Sequence, residues 1–277
     1  MNQSRALKRF YDKVGERYPE EEQVYRTLRG LLRKKFVLNW LKQQSGSLLD
    51  IGTNRGMYLA HYAGGTRYGV DLSLTVLKQA QHTTPVNYVV ADAERLFCFQ
   101  PESFDRVLCS EVIEHCFHPQ QVFESIAHVL KPGGKALLTT PNYRGERPTW
   151  VDLGTMVGYG VQGEWNEKYF HTAYKPEELA EFARDVNLKA VEIGTLEKQV
   201  KYAAKIPAAF LLIGRKLNLY FESKRLALWN EEVFQILSLL IYRISHYTLL
   251  EKLLLLFVKQ GVRSYIIMQK PNVQKNI

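Results

Sequence analysis

The chain has 277 residues, of which 46% are hydrophobic, so it can bury the core of one domain with additions but not of several. Its three cysteines show no metal-ligand spacing, and their odd number favours reduced thiols in a cytosolic protein over a disulfide framework. The basic amino terminus is not followed by an apolar stretch, so we expect no signal peptide.

The net charge of +9 is unevenly distributed along the chain. Residues 1–44 hold 11 Lys and Arg against 5 Asp and Glu, residues 45–195 hold 13 against 18, and residues 196–277 hold 13 against 5. An acidic central part therefore lies between two basic flanks. Such flanks favour an anionic partner, either a membrane surface or a nucleic acid.

Two helices are predicted at the amino terminus, over residues 3–17 and 20–44. Pro19 and the three glutamates after it are typical of a helix start. The basic residues of the second helix form one stripe, which consists of Arg26, Arg29 and Arg33. This stripe is equally typical of a solvated helix face, so we interpret residues 1–44 only as a helical cap.

From residue 45 onward, strand and helix patterns alternate, which is typical of a parallel sheet covered by helices. Strands are predicted at residues 47–51, 66–70, 86–91, 104–109, 135–140, 188–194 and 263–269. Helices are predicted at residues 56–63, 73–81, 118–130 and 175–186. The catalytic domain would then comprise residues 45–198 and 263–271, with residues 199–262 as a helical amphipathic insertion.

The turn after the first strand carries the most specific motif, Asp50-x-Gly52-x-x-x-Gly56. A dinucleotide fingerprint would need glycines at positions 54 and 57, where the chain has Asn54 and Met57. The motif resembles instead the first motif of the class I S-adenosylmethionine (SAM)-dependent methyltransferases. The family most often has glycine at position 54. Asn best tolerates the left-handed backbone among the other residues, so we expect the turn to survive.

The resemblance implies a Rossmann-like α/β fold with seven mostly parallel strands, helices on both faces and amino-terminal helices. The family usually has only a short connection before the last strand, so the helical insertion predicted there departs from the family. Asp71 ends the second strand, where a carboxylate can accept both ribose hydroxyls, and Asp92 ends the third, where the family binds the adenine amino group. Either could instead cap a helix. The resemblance adds five neighbours to the SAM site, namely Thr53, Asn54, Leu72, Ala93 and Ser110. It also places the amino-terminal helices over the cofactor, with Tyr11 and Tyr18 in its pocket.

After the fourth strand, Glu111, Glu114 and His115 follow the i, i+3, i+4 spacing that places side chains on one face of a helical turn. Two carboxylates and an imidazole suit a divalent cation such as Mg²⁺. The segment resembles ubiquinone-pathway O-methyltransferases and small-RNA 2′-O-methyltransferases, in which a downstream histidine completes a metal site. His171 is the candidate here. In metal-free relatives the histidine can act as a base or can serve only a structural role, so His115, His171 and Glu111 are also the candidate catalytic residues.

A long segment at residues 142–172 is predicted as a loop that forms a substrate lid. It is rich in aromatic residues, which are Tyr143, Trp150, Tyr159, Trp165, Tyr169 and Phe170. Within residues 199–262, an apolar stripe is predicted at Leu226, Trp229, Val233, Leu237, Leu240 and Ile244. The longest charge-free run there, residues 233–242, is too short to cross a bilayer. A helical cap, a homodimer interface and a surface lying on a membrane all remain open.

Three functions follow from these patterns. The first is SAM-dependent O-methylation of a lipid-linked or membrane-held small molecule, such as a quinone precursor or a glycan, by a cytoplasmic protein at the inner face of the membrane. The second is 2′-O-methylation of a nucleic acid, although no RNA-binding motif is evident. The third is SAM binding without catalysis.

Overall fold

The structure is a computed structural model that describes residues 11–12, 24–152 and 168–272. Its strands are β1 Leu48–Ile51, β2 Arg67–Asp71, β3 Asn87–Val90, β4 Phe104–Ser110, β5 Leu130–Pro141, β6 Trp150–Asp152, β7 Lys168–Phe170, β8 Lys189–Leu196 and β9 Arg263–Gln269. Its helices are α1 Leu28–Lys42, α2 Met57–His61, α3 Leu74–Thr83, α4 Pro119–Val129, α5 Pro176–Asp185, α6 Val200–Ala203, α7 Lys205–Phe221, α8 Lys224–Tyr247 and α9 Leu250–Leu255. A single 3₁₀ turn covers Ile113–His115.

Seven strands form one sheet in the order β3-β2-β1-β4-β5-β9-β8. The first five are parallel to one another, whereas β9 runs antiparallel to both β5 and β8. This arrangement confirms the predicted Rossmann-like methyltransferase fold. The strand order reverses between β1 and β4, and ligands of open α/β sheets bind at such a reversal, beyond the carboxyl ends of the strands.

Alternate residues of the central strands enter two separate cores, one on each face of the sheet. Leu49 and Ile51 of β1 pack with residues of α4 and α5, such as Phe123 and Leu179. Leu48 points to the other face, where it packs with residues of α1 and α2. The near-continuous apolar sequence of β1 is thus explained by burial on both faces.

The predicted helix over residues 20–44 is wrong in one respect, because the chain bends at Thr27. Thr27 has extended backbone angles, and its Oγ1 accepts a hydrogen bond from the amide of Gly30 at 3.1 Å. A threonine side chain that caps a helix in this way starts a new helix at the next residue. Of the predicted helix over residues 3–17, only residues 11–12 are described, and both are helical.

The segment after β5 differs from the prediction, whereas the segment between β8 and β9 agrees with it. The segment after β5 is not a plain loop, because β6 and β7 pair as a two-stranded antiparallel ribbon. The predicted aromatic residues Tyr159 and Trp165 lie outside the described residues. The segment between β8 and β9 is helical as predicted, with α7 and α8 packed as an antiparallel hairpin. Among the described residues, no helix is long and apolar enough to span a bilayer.

Candidate active site

The register of the sheet brings the predicted SAM residues to one edge. Ile51 lies opposite Val70 of β2 and Cys109 of β4, so the next residues, Gly52, Asp71 and Ser110, end their strands in one layer. Asp92, two residues beyond the end of β3, follows at the same edge, since Asp71 pairs with Val90.

The turn between β1 and α2 depends on left-handed backbone angles. Gly52, Asn54 and Gly56 have φ values of 69°, 49° and 78°. A Cβ atom at Gly52 would lie 2.2 Å from Cγ2 of Val112, so the position requires glycine for space as well as for conformation. Asn54 takes the left-handed conformation expected of it, so the turn forms despite the missing family glycine.

Two carboxylates hold this turn in place. Asp50 is 2% exposed and accepts a hydrogen bond at 2.9 Å from the hydroxyl of Thr53. Asp71 accepts from the amide of Asn54 at 3.0 Å and from the amide of Ser73 at 2.9 Å. Burial raises the pKa of Asp71, and these amides, with that of Leu72, oppose the rise. Asp71 thus joins the glycine turn to the start of α3, as a ribose-binding carboxylate must.

The remaining predicted SAM residues lie at the same edge and make local bonds. Asp92 accepts from the amide of Glu94 at 3.0 Å, which keeps the turn after β3 tight. Ala93 packs against the core formed with α4. The hydroxyl of Ser110 lies 2.9 Å from that of Thr139 on β5. These residues follow β3 and end β4 at the carboxyl edge of the sheet, which is where ligands of open α/β sheets bind.

Glu111 does not share a helical face with Glu114 and His115, so that prediction is wrong. Its φ of 62° is left-handed, and the 3₁₀ turn begins only at Ile113. Its carboxylate instead forms an ion pair at 2.8 Å with Arg33 of α1 and a second pair with Arg263 of β9. Burial opposes its ionisation, but the two arginines hold the pKa of Glu111 below its ordinary value.

The ion pairs continue as a four-residue network that sequence reasoning missed. Nε of Arg263 lies 3.0 Å from a carboxylate oxygen of Glu197, which follows β8 and is 4% exposed. Arg33, assigned above to a basic stripe, is itself buried. Its burial has a signal in the sequence, because Arg33 lies in helical phase with the apolar Val37 and Trp40.

His171 reaches the other predicted residues through the chain that follows β7. The amide of Thr172 donates to the carbonyl of Glu114 at 2.9 Å, which fixes this stretch over the 3₁₀ turn. The rings of His115 and His171 meet edge to face, with centroids 4.9 Å apart. One ligand atom from each of Glu114, His115 and His171 lies within 4.8 Å of the others. The structure therefore brings three of the four predicted metal ligands together.

The three groups share an environment that favours their neutral forms. Burial and the nearby Glu111 raise the pKa of Glu114 to about 8, and the hydroxyl of Thr140 donates to its carboxylate at 3.1 Å. Burial and His171 lower the pKa of His115 to about 3. Burial and Arg263 likewise lower the pKa of His171. Nδ1 of His115 is buried and has no hydrogen-bond partner within the part of the chain that the structure describes, so it could bind a ligand.

This donor set does not fit Mg²⁺, which takes oxygen ligands in octahedral geometry and retains waters. Two of the three clustered groups offer nitrogen, and the remaining carboxylate, Glu111, is already bound by Arg33 and Arg263. The expectation of Mg²⁺ is therefore not supported. Imidazole with carboxylate is a set that transition metals accept, so a metal site of Glu114, His115 and His171 stays a prediction.

The described part of the amino-terminal cap closes over the same edge. The ring of Tyr11 lies edge to face with that of His115, at 5.8 Å between centroids. Asp12 accepts a hydrogen bond at 2.8 Å from the hydroxyl of Ser73, beside Asp71. Tyr11 thus lies at the site where it was expected, whereas Tyr18 lies outside the described residues. The role of Asp12 had no sequence signal.

Comparison with known proteins supports the family, the fold and the cofactor. Residues 49–138, which include β1, the glycine turn and the 3₁₀ turn, match the family model described as a methyltransferase domain. The chain belongs to the class I SAM-dependent methyltransferases of the type that acts on small molecules. It is accordingly a SAM-dependent enzyme, with SAM as its cofactor.

Among its relatives are two bacterial proteins named ubiquinone biosynthesis O-methyltransferase. The one from Xanthomonas euvesicatoria pv. vesicatoria is 30% identical over 58% of this chain and 70% of its own length. The one from Pseudomonas syringae pv. tomato is 25% identical over 76% of this chain and 97% of its own length. A solved SAM-dependent methyltransferase from Archaeoglobus fulgidus, 20% identical, covers 91% of this chain and 95% of its own at a TM-score of 0.51, which shows the shared fold. These relatives favour neither the nucleic-acid substrate nor SAM binding without catalysis.

Proposed function

We propose that this methyltransferase methylates a hydroxyl group of a quinone-pathway small molecule that is lipid-linked or held at a membrane. The relatives named ubiquinone biosynthesis O-methyltransferase support the reaction and the substrate class. The observation that carries the proposal is the placement of His171 against His115 at the carboxyl edge of the sheet, next to the glycine turn. A neutral imidazole at that place can accept the proton of a hydroxyl acceptor.

For the cofactor, we propose that the turn Gly52–Gly56 approaches SAM through its backbone, with Thr53 and Asn54 as the contacting residues between the glycines. Asp71 and Leu72 would bind the ribose, and Asp92, Ala93 and Ser110 would line the adenine side. Asp50 would stabilise the turn by accepting the hydrogen bond from the hydroxyl of Thr53. When bound, SAM would supply a methyl group on a sulfonium, to which an oxygen nucleophile can bond while the sulfur leaves as a neutral thioether.

The chain's own residues would orient the acceptor and remove its proton. We assign His171 as the base, because its side chain is half-buried and the positive charge of Arg263 favours its neutral form. His115 and Glu114 lie behind it and pack against its ring. Glu111 would act only through Arg33 and Arg263, as a positioning residue. Proximity of the two reactants supplies most of the acceleration in such a displacement.

We also propose that the protein makes peripheral contact with the inner face of a membrane, where a lipid-linked acceptor resides. The basic charge of the amino-terminal and carboxy-terminal flanks supports this location. The division into a cap at residues 1–44, a catalytic domain and an insertion at residues 199–262 is part of the same proposal. The insertion provides the contact surface, whereas the cap and the catalytic domain form the site.

The test is methyl transfer from labelled SAM to three acceptor pools, namely a polyprenyl-linked catechol or phenol, a small RNA with a free 3′ end, and a water-soluble phenol. We expect label in the polyprenyl-linked acceptor. His171→Gln should lower that rate by about 100-fold or more, as removal of a general base does. His82→Gln, which changes an exposed histidine of α3, is the matched control. Label in the RNA alone would contradict the proposal.

The cofactor assignment has its own test, which needs no acceptor. Asp71→Ala should abolish SAM binding measured by calorimetry, because the glycine turn and the ribose contact both depend on that carboxylate. Unchanged thermal unfolding would show that the fold persists. An unchanged affinity for SAM would overturn the assignment of Asp71.

A further inference from the structure

The α7–α8 hairpin carries its apolar side chains on the outside. On α7, the exposed apolar side chains Ile206, Phe210, Ile213, Leu217 and Phe221 repeat at spacings of four and three residues and so form one stripe. On α8, the exposed ones are Trp229, Ile236, Leu240 and Ile244. We call these two rows the outer stripes. Soluble proteins seldom expose an apolar patch of this size without a partner for it.

Of the four buried residues described on α8, three are polar, and the fourth is Tyr242, which packs in a cluster with Val200 and Ala203. Asn230, Ser238 and Ser245 are 8%, 2% and 3% exposed. Asn230 donates to the carbonyl of Leu211 at 2.9 Å, and it lies so close to Gly214 that a Cβ there would come within 2.4 Å of it. Small and polar residues between helices, with apolar residues outside, are the pattern of helices whose surroundings are lipid. The stripe predicted from sequence thus points outward at Trp229, Leu240 and Ile244.

The hairpin rises from the edge of the sheet that holds the active site. β8 runs parallel to β5, so the insertion leaves at the carboxyl edge and returns there to Arg263, which binds Glu111. At its base, Val200 and Ala203 of α6 pack against Leu28 of α1. A surface that binds the outer stripes would therefore lie beside the entrance to the site.

The charged residues on and around the outer stripes indicate which partner the hairpin can bind. Lys205 and Lys216 flank the stripe of α7. Arg225 and Arg243 lie in line with that of α8, as does the exposed Glu232, so the cations outnumber the acid on this face. At the base, Arg29 and Arg144 are near enough to Lys201 to help lower its pKa, after burial, which contributes most. A second copy of the chain would bring these cations against one another, which is unfavourable. Anionic lipid headgroups would instead neutralise them.

We propose that the α7–α8 hairpin docks on the surface of an anionic bilayer, with the outer stripes at the boundary of headgroups and acyl chains. Because no described helix can span a bilayer, the hairpin lies on the surface. Its basic residues contact the headgroups, and the active-site edge faces the lipid. This deepens the proposed function by naming the lipid partner, but the binding test needs neither SAM nor an acceptor, so each can fail without the other.

The experiment is flotation of the full-length protein with vesicles of phosphatidylcholine alone or mixed with phosphatidylglycerol, at low and high salt. We expect flotation with the anionic vesicles at low salt and release at high salt. Leu217→Ser combined with Phe221→Ser should weaken binding by roughly tenfold or more, since apolar burial at the interface is lost. Leu74→Ser with Phe97→Ser is the matched control, because Phe97 is 68% exposed and Phe221 70%.

A second pair of variants isolates the charge contribution. Lys216→Glu with Arg225→Glu should weaken binding to anionic vesicles by roughly tenfold or more, whereas Lys78→Glu with Lys189→Glu, both exposed elsewhere, should leave it unchanged. Protein that stays at the bottom with anionic vesicles at low salt would overturn the proposal. So would equal loss in the control pairs, or equal flotation with neutral vesicles. A stable dimer by light scattering that the Leu217 and Phe221 changes dissociate would assign the hairpin to a second copy instead.

Discussion

The sheet with its covering helices and the α7–α8 hairpin differ in the side chains that they bury. Phe123 of α4 and Leu137 of β5 are fully buried, and the buried Arg33 and Glu197 belong to one network of ion pairs. In the hairpin, Asn230 and Ser238 are buried while Trp229 and Ile236 are exposed. The same apolar content therefore stabilises the fold in one region and is left for an outside partner in the other. Composition alone would treat both regions alike.

The largest difference in the free energy of unfolding is expected between substitutions of two phenylalanines, Phe123 in the core and Phe221 on the hairpin. Phe123→Ala should lower the free energy of unfolding by about 3–5 kcal/mol, because it leaves a cavity in the core against α4. Phe221→Ala should change it by less than about 0.5 kcal/mol, since that ring is 70% exposed. Urea unfolding of both variants in parallel measures the contrast. A large loss with Phe221→Ala would mean that the hairpin packs against the protein in solution.

Two arginines that form ion pairs, Arg263 and Arg215, give the next comparison of stability. Arg263→Leu should cost about 3–4 kcal/mol, because it leaves the buried carboxylates Glu111 and Glu197 without a shared partner. Adding Glu197→Gln should recover part of that loss, since one buried charge is removed. Arg215→Leu breaks the exposed pair with Glu231 and should cost at most about 1 kcal/mol. Equal losses at Arg263 and Arg215, measured by denaturation, would contradict the assignment of the buried network.

Two glycines with positive φ, Gly52 in the turn after β1 and Gly145 outside it, test why the turn requires glycine. Gly52→Ala should lower stability by about 2–4 kcal/mol, from its left-handed angles and from contact with Val112. It should also weaken SAM binding in calorimetry. Gly145→Ala shares the positive φ but has no atom within 4 Å of the added Cβ, so about 1 kcal/mol is expected. Val112→Ala in the Gly52→Ala background should restore part of the loss, which a purely conformational cause would not allow.

The smallest expected effect concerns Asp105, near the amino-terminal edge of the sheet. Burial opposes its ionisation, but bonds from Lys131 at 2.9 Å and from the amide and hydroxyl of Ser47 lower its pKa from 3.8 to about 2. Because the folded pKa is the lower one, the stabilisation is present above pH 5 and is lost as the pH falls towards 2. Asp105→Asn should cost at most about 1 kcal/mol at pH 7 and nothing near pH 2, in urea titrations at both values. A constant difference between the two pH values would exclude ionisation as the cause.

The sequence predicted the sheet because each strand carries its own local signal. Apolar runs such as residues 48–51 and glycines at strand ends need no knowledge of distant contacts. The site was only partly predictable. The spacing of Glu111, Glu114 and His115 suggested one helical face, but the left-handed Glu111 and its pairing with Arg263, far along the chain, are set by tertiary structure. The outward stripe of α8 could be recognised as amphipathic, yet which side faces the protein depends on the packing of Asn230 against Gly214.

The two ends of the insertion meet. Glu197 and Arg263, which bracket it, are joined by their ion pair, and the amide of Gly261 donates to the hydroxyl of Thr195 at 2.9 Å. Since β8 and β9 are antiparallel neighbours, a short reverse turn would connect them equally well. We therefore expect that the insertion can be exchanged or removed without a change in the register of the β8–β9 pair. Under the docking proposed above, changes in the hairpin would alter where the enzyme binds lipid while the sheet keeps the same register.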